Sequence, residues 1–314
     1  MPRLQVMQNN SSASALHRFA PAKINLYLHV TGQRSNGYHE LDSFVSFASI
    51  GDEITVSLAD SLTLEITGSE ANAFEGQDTS NNLVMKAATA LQSRYAVSDG
   101  AVVTLTKELP VASGIGGGST DAAATLQALV ALWGLEPGPG ELAGLALELG
   151  ADVPVCLKGR PQRMTGIGEI LHEVPTMPVC HMVLVNPRCS QSTPEVFAAL
   201  HQSKWKPTRI YPAMAPDLDF LSLVADLKSR RNDLEPPAIK LLPVISDILE
   251  SLDALQGCRL ARMSGSGASC FGLFETEKEA DVAAATLLGQ NPDWWVKSAR
   301  LGDETPDLRQ AYTG

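Results

Sequence analysis

The sequence predicts an α+β protein. Three observations carry this. Segments with the period of a strand and segments with the period of a helix follow one another irregularly, not as repeated βα units. No segment recurs at a fixed spacing. The 314 residues suffice for about two domains at ~150 residues each. With 44% hydrophobic and 19% charged residues, the chain has enough apolar material to fold as a globule.

The elements are read in chain order. Gln8 to Ser14 is polar and small, so the chain before about Leu16 reads as a loose tail. Over 22–30, Ile24, Leu26, Leu28 and Val30 alternate with Lys23, Asn25, Tyr27 and His29, which predicts a strand with two unlike faces. Ser35-Asn36-Gly37 reads as a turn. Strands are predicted over 52–58 and 61–67, and a helix over 82–95 with Leu83, Ala87, Ala90 and Leu91 on one side. A β-branched strand over 101–106 leads into a glycine-rich loop, 110–118. A helix then follows over about 119–133, with an apolar stripe including Ala122, Leu126, Leu129 and Trp133.

Prolines and glycines at 137–140 break the chain before a helix over 141–149, which Gly150 ends at the C′ position. Val153-Pro154-Val155 reads as the start of an apolar strand. Further on come a strand over 182–186, a helix over 193–202, a proline-rich loop over 204–219 and one or two helices around Pro243. Two strands, 259–263 and 270–274, flank Ser264-Gly265-Ser266-Gly267. A domain boundary is expected near 159–168.

Charge narrows the function classes. With 24 basic and 35 acidic side chains, the net charge is −11, which disfavours broad binding to a nucleic-acid backbone. A small phosphorylated ligand stays open, because backbone amides hold phosphate whatever the net charge. The five cysteines form no C-x-x-C pair and are odd in number, which suits a reducing compartment. No run approaches the ~18 apolar residues of a membrane span, and the first residues lack the apolar core of a signal peptide. A cytoplasmic enzyme or binding protein is expected, with no nucleic-acid or membrane partner.

The segment Pro110-Val111-Ala112-Ser113-Gly114-Ile115-Gly116-Gly117-Gly118-Ser119-Thr120-Asp121 carries the most information. Between a strand and a helix, its glycines let successive amides turn toward one site. The helix start adds unpaired N–H groups and a positive dipole end, suited to a nucleotide phosphate. It is neither a G-x-x-x-x-G-K-[ST] loop nor a G-x-G-x-x-G fingerprint. Two charged residues stand out beside it. Lys23 taken alone reads as an edge charge, and Asp152 as a turn residue. Together with a phosphate loop they suit phosphoryl transfer, the ammonium neutralising charge and the carboxylate receiving a hydroxyl proton. The carboxylate need not be a strong base, because the transfer is largely dissociative.

The loop, spelled PVASGIGGGSTDAA, resembles the phosphate-binding loop of the GHMP kinases, with one extra glycine. PAKINL at 21–26, GYHEL at 37–41 and GADVPV at 150–155 resemble further family signatures, in the family's order. The resemblance runs from about Phe19 to Leu301. It implies a two-domain fold with the active site in the inter-domain cleft: a tail over 1–17, an ATP-binding domain over 18–162 and a C-terminal domain over 163–314. It implies ATP with Mg2+, no metal ligand being identified, and Lys23 and Asp152 as the catalytic pair. ATP would meet Lys107 and the loop residues 110–120, from Pro110 through Val111, Ala112, Ser113, Gly114, Ile115, Gly116, Gly117 and Gly118 to Ser119 and Thr120.

The extra glycine and the G-Y-H segment are similar to the branch whose acceptor carries a cytidyl diphosphate, in isoprenoid precursor synthesis. On that resemblance Asn25, Tyr38, His39, Thr193 and Phe197 would hold the acceptor. His39 would read the cytosine edge, with Tyr38 and Phe197 stacking on either side. Asn36 departs from the family's more usual Asp, and both residues suit a turn. Locally, Thr193 reads equally as a helix-capping residue and Phe197 as core. Gly166-Ile167-Gly168-Glu169 and Asn232-Asp233-Leu234-Glu235 are also family-like but receive no chemistry from the sequence. Another GHMP kinase, of homoserine or mevalonate type, and a non-catalytic GHMP-fold binding protein are the alternatives. The first lacks a base to be stacked, and the second has no need of both Lys23 and Asp152.

Overall fold

The computed structural model describes residues 15–302 except 204, 209, 211, 213, 214, 216 and 217. Most of the tail expected over 1–17 therefore lies outside the described residues.

The first sheet opens with β1 (Leu16–Gln33) and β2 (His39–Ala59), paired antiparallel from Leu16↔Val56 to Gln33↔His39. The Ser35-Asn36-Gly37 turn joins them, with the Tyr38 amide donating to Asn36 Oδ1 at 3.2 Å. β3 (Thr63–Thr67) runs parallel to β4 (Gly100–Thr106), and β4 pairs with the far half of β2. The helices α1 (Leu83–Arg94), α2 (Gly117–Leu132), α3 (Glu141–Leu149) and α4 (Val153–Lys158) follow. β5 (Gln162–Gly166) then pairs with the near half of β2, and β6 (Ile170–Glu173) with β5.

The second sheet is antiparallel, in the order β10-β7-β9-β8. It is built from β7 (Cys180–Asn186), β8 (Leu260–Met263), β9 (Cys270–Phe274) and β10 (Trp295–Leu301). Its helices are α5 (Thr193–Gln202), α6 (Phe220–Lys228), α7 (Glu235–Leu241), α8 (Val244–Asp253) and α9 (Glu277–Gln290). Among the described residues, the pairing Leu301↔Ala48 joins the two sheets.

The strand predicted at 22–30 is the middle of β1, but both of its faces are buried. Lys23 is 3% and Asn25 3% exposed, so the edge-charge reading of Lys23 is corrected. β1 packs on the alanine-rich α2 and is clasped by backbone from elsewhere. The Lys23 amide donates to Ile115 O, the Leu28 amide to Arg231 O, and the Asp233 amide to Leu28 O. The first half of β2 escapes sequence reading for the same reason: Phe44 to Ala48 is buried without alternation.

Three further readings change. Val153-Pro154-Val155 begins α4 instead of a strand; Pro154 is tolerated in a first turn, and burial of Val153 and Val155 outweighs β-propensity. Gly150 ends α3 but with φ 161°, extended and not left-handed. The boundary expected at 162/163 falls inside β5, whose pairing with β2 and β6 carries the first sheet on to Glu173.

α1 is capped by Asn82, whose Oδ1 accepts from the Val84 amide at 2.9 Å. Asn82→Ala is expected to cost about 1 kcal/mol, read as a lower midpoint in denaturant unfolding.

Candidate active site

Residues of both halves line a cleft of ≈ 840 Å³. Its floor is the glycine loop. Gly114 and Gly116 have φ of +76° and +66°, and Gly116 stands as the left-handed N-cap of α2. The first i→i−4 bond of α2 runs from the Thr120 amide to Gly116 O. The amides of Gly117, Gly118 and Ser119 therefore have no partner within the helix, which suits an anion.

A second glycine loop, 264–267, packs on the first. The Ser264 hydroxyl donates to Gly114 O at 3.1 Å, and a Cβ on Gly114 would lie 2.5 Å from Gly267 O. Asn232-Asp233-Leu234-Glu235 holds this second loop in place. Asn232 Nδ2 donates to Met263 O and Gly265 O, and Glu235 accepts from the Met263 amide.

Lys23 Nζ lies 2.8 Å from Asp152 Oδ2. The Lys23 side chain is 4% exposed and that of Asp152 is 44%, so the carboxylate faces the cleft from the start of α4 while the ammonium sits behind it. Lys23 also packs on the loop, since a Cβ on Gly116 would meet its Cβ at 3.0 Å. Asn25 lies beside Lys23, its amide nitrogen Nδ2 donating to Ser43 Oγ at 2.8 Å. Thr193 is the first residue of α5, and its hydroxyl is 2.7 Å from that of Ser266.

Several loop residues are committed internally. Ser113 Oγ donates to Pro110 O at 2.6 Å, and Thr120 Oγ1 turns back to Gly117 O at 2.9 Å. Ile115 is fully buried, while Val111 and Gly118 are exposed. Lys107 lines the cleft beneath the loop but is held from below. It is 2% exposed and its Nζ donates to Asp52 and Asp121. Burial works against this ammonium, but the charges of Asp121 and Asp52 outweigh it and hold it above the ordinary lysine range. Burial pushes the Asp121 carboxyl up to about 8, with Lys107 pulling against it and the Asp52 charge adding to it.

Tyr38 is 59% exposed, and it is His39 that stacks on Phe197, with centroids 4.4 Å apart and 21° between the planes. His39 Nε2 is 2.7 Å from His201 Nε2, and Trp205 stands edge-on to both rings. Partial burial, helped by the His201 charge, lowers the His39 pKa. His201 had no signal in the sequence, because its partner is 162 residues away.

Sequence reading also missed the far wall of the cleft, including Phe74, Asp78 and Asn81, and Gln191 on the near side. Two 3₁₀ turns, Ala71–Phe74 and Thr79–Asn81, carry that wall. Glu169 of the Gly166–Glu169 turn pairs with Arg34 at 3.0 Å, which ties the β5–β6 hairpin to the turn before His39. Among the described residues no three His, Cys, Asp or Glu side chains converge as a metal site, and no helix is long and apolar enough to cross a membrane.

The two halves of the fold, with the cleft between them, match known proteins. The profile of the GHMP kinases N terminal domain matches residues 82–160, and that of the GHMP kinases C terminal matches 214–292. A 4-diphosphocytidyl-2-C-methyl-D-erythritol kinase of Paramagnetospirillum magneticum is 49% identical over 283 residues, covering 90% of this chain and 97% of that protein. One from Cereibacter sphaeroides is 51% identical over 288 residues, covering 90% and 98%. The crystal structure of a 4-(cytidine 5'-diphospho)-2C-methyl-D-erythritol kinase superposes with a TM-score of 0.74 at 33% identity, covering 92% of this chain and all of that one. A homoserine kinase from Cytophaga hutchinsonii, at 17% identity and TM-score 0.66, shares the fold. The chain belongs to the GHMP kinase family, in the branch of the 4-diphosphocytidyl-2-C-methyl-D-erythritol kinases.

Proposed function

We propose that the chain transfers the γ-phosphate of ATP to the 2-hydroxyl of 4-diphosphocytidyl-2-C-methyl-D-erythritol, a step in the non-mevalonate route to isoprenoid precursors. The observation that carries the chemistry is the Lys23–Asp152 pair, 2.8 Å apart, beside the glycine loop. The loop's amides bind the phosphates. Asp152, half exposed to the cleft, accepts the proton of the acceptor hydroxyl. Lys23 orients that carboxylate and offsets charge on the transferring phosphoryl group. Mg2+ carried with ATP would offset the charge of the phosphates. All five cysteines are free thiols, in keeping with a cytoplasmic setting.

A phosphoryl-transfer assay tests this reading. With ATP, the cytidyl acceptor should be consumed, and homoserine and mevalonate should not. Equal turnover of an acceptor without a base overturns the acceptor assignment.

The aromatic group at the cleft mouth is the base subsite in this reading. Base–aromatic stacking is worth ~1–3 kcal/mol in nucleic-acid sites. Phe197→Ala and His39→Ala should each raise KM for the cytidyl acceptor about tenfold or more and leave KM for ATP unchanged. Tyr38→Ala should change little, since that ring is largely exposed. A rise in KM for ATP in the first two variants overturns this subsite.

A further inference from the structure

Asp121 belongs to the glycine-loop segment, yet the chemistry above leaves it unused. It is the fifth residue of α2 and 2% exposed. Its Oδ2 accepts from Lys107 Nζ at 2.8 Å, and the same ammonium donates to Asp52 Oδ2. Asp52 is fully engaged, because its Oδ1 also accepts from the amides of Glu108 and Leu109 at 2.7 and 2.8 Å. Oδ1 of Asp121, by contrast, is buried without a hydrogen-bond partner.

Two carboxyl groups therefore share one ammonium out of water. With both ionised, one negative charge would stay buried and uncompensated. A proton removes that charge and turns a lone acceptor into a donor. Both oxygens of Asp52 already accept hydrogen bonds while Oδ1 of Asp121 has no donor, so the proton belongs on Asp121. The other groups nearby do not compete. Cys156 of α4 is held as the thiol by its burial, and the Lys23 ammonium is engaged by Asp152. The cluster lies directly under the loop: a Cβ on Gly117 would be 3.0 Å from Lys107 Nζ and 3.7 Å from Asp52 Oδ2.

We propose that Asp121 is a positioning residue, held as the neutral acid beside Asp52 on the shared Lys107 ammonium, so that the loop presents its amides to the phosphates of ATP over a cluster without net charge. This rests on the ATP-binding reading of the loop. Loss of the proton to solvent puts a negative charge beneath Gly117, where it opposes the charge of the bound phosphates.

ATP affinity, measured by calorimetry at constant Mg2+ from about pH 7.5 to about 9.5, tests this above the last ionisation of ATP. The wild type should lose about tenfold in affinity across that range, and Asp121→Asn, whose carboxamide is neutral throughout, should not. NMR of protein labelled with 13C in the aspartate carboxyls should show one protonated carboxyl at neutral pH, absent in Asp121→Asn. The two wild-type measurements hold even if the variant fails to fold. An affinity independent of pH in the wild type, the same alkaline loss in Asp121→Asn, or no protonated aspartate at neutral pH overturns the proposal. Absence of ATP binding at every pH instead overturns the reading on which it rests.

Discussion

Asp152→Asn is expected to lower kcat by about 10²–10⁴-fold while ATP still binds, because a positioned proton acceptor contributes on that scale. The substitution is nearly isosteric, and it spares the fold for a specific reason. Asp152 occupies the N-cap position of α4 but makes no side-chain capping bond, so the helix loses no cap. The carboxamide oxygen can still accept from Lys23 Nζ, now 2.8 Å from the carboxylate, so the buried ammonium keeps a partner. What disappears is the negative charge that balances Lys23 and, in the proposed reaction, takes the hydroxyl proton. Steady-state kinetics, ATP calorimetry and a thermal melt together separate these effects. A near-normal kcat would remove Asp152 from the chemistry.

Gly116→Val should weaken ATP binding by about 100-fold and affect the cytidyl acceptor much less. Two costs combine. A β-branched residue at φ +66° is strained by ~1–3 kcal/mol. The new Cβ also meets Lys23 Cβ and Cε at 3.0 Å, so either the loop or Lys23 must shift. The variant is therefore expected to lose kcat as well. Gly118→Ala is the matched control, because nothing lies within 4 Å of a Cβ there. Any loss of ATP affinity in that variant reports the approach of phosphate and not backbone strain. Unchanged ATP affinity in Gly116→Val would make the loop a connector only.

Signals that act over a few residues were legible in the sequence. The helix 193–202 matches α5, Asn82 opens α1, and Pro243 separates α7 from α8. The left-handed glycines of the loop and the turn at 35–37 follow from local backbone sterics. Lys23 and Asp152 lie 2.8 Å apart, and they were linked beforehand only on the strength of familiar motifs. Nothing in the spacing of two residues 129 positions apart brings them together.

Burial was the part the sequence concealed. Lys107 and Asp52 are buried together as an ion pair, and nothing local marks that pairing because the two residues lie 55 positions apart in the chain. Phe44 to Ala48 lacked alternation because both faces of β2 are covered there. The β-branched residues of 153–155 resembled a strand until their packing in a short helix decided otherwise.

By itself, then, the sequence determined the α+β class, the glycine loop between β4 and α2, and the residue types available for phosphoryl transfer. These depend on periodicity, φ preference and side-chain chemistry, which are properties of short segments. Only the tertiary structure decided that α4 presents Asp152 to Lys23, that His39 and not Tyr38 lies on Phe197, and that Asp52, Lys107 and Asp121 meet beneath Gly117. Those outcomes depend on which distant groups are desolvated together, and the cost of burying a charge is set by the partner it meets there.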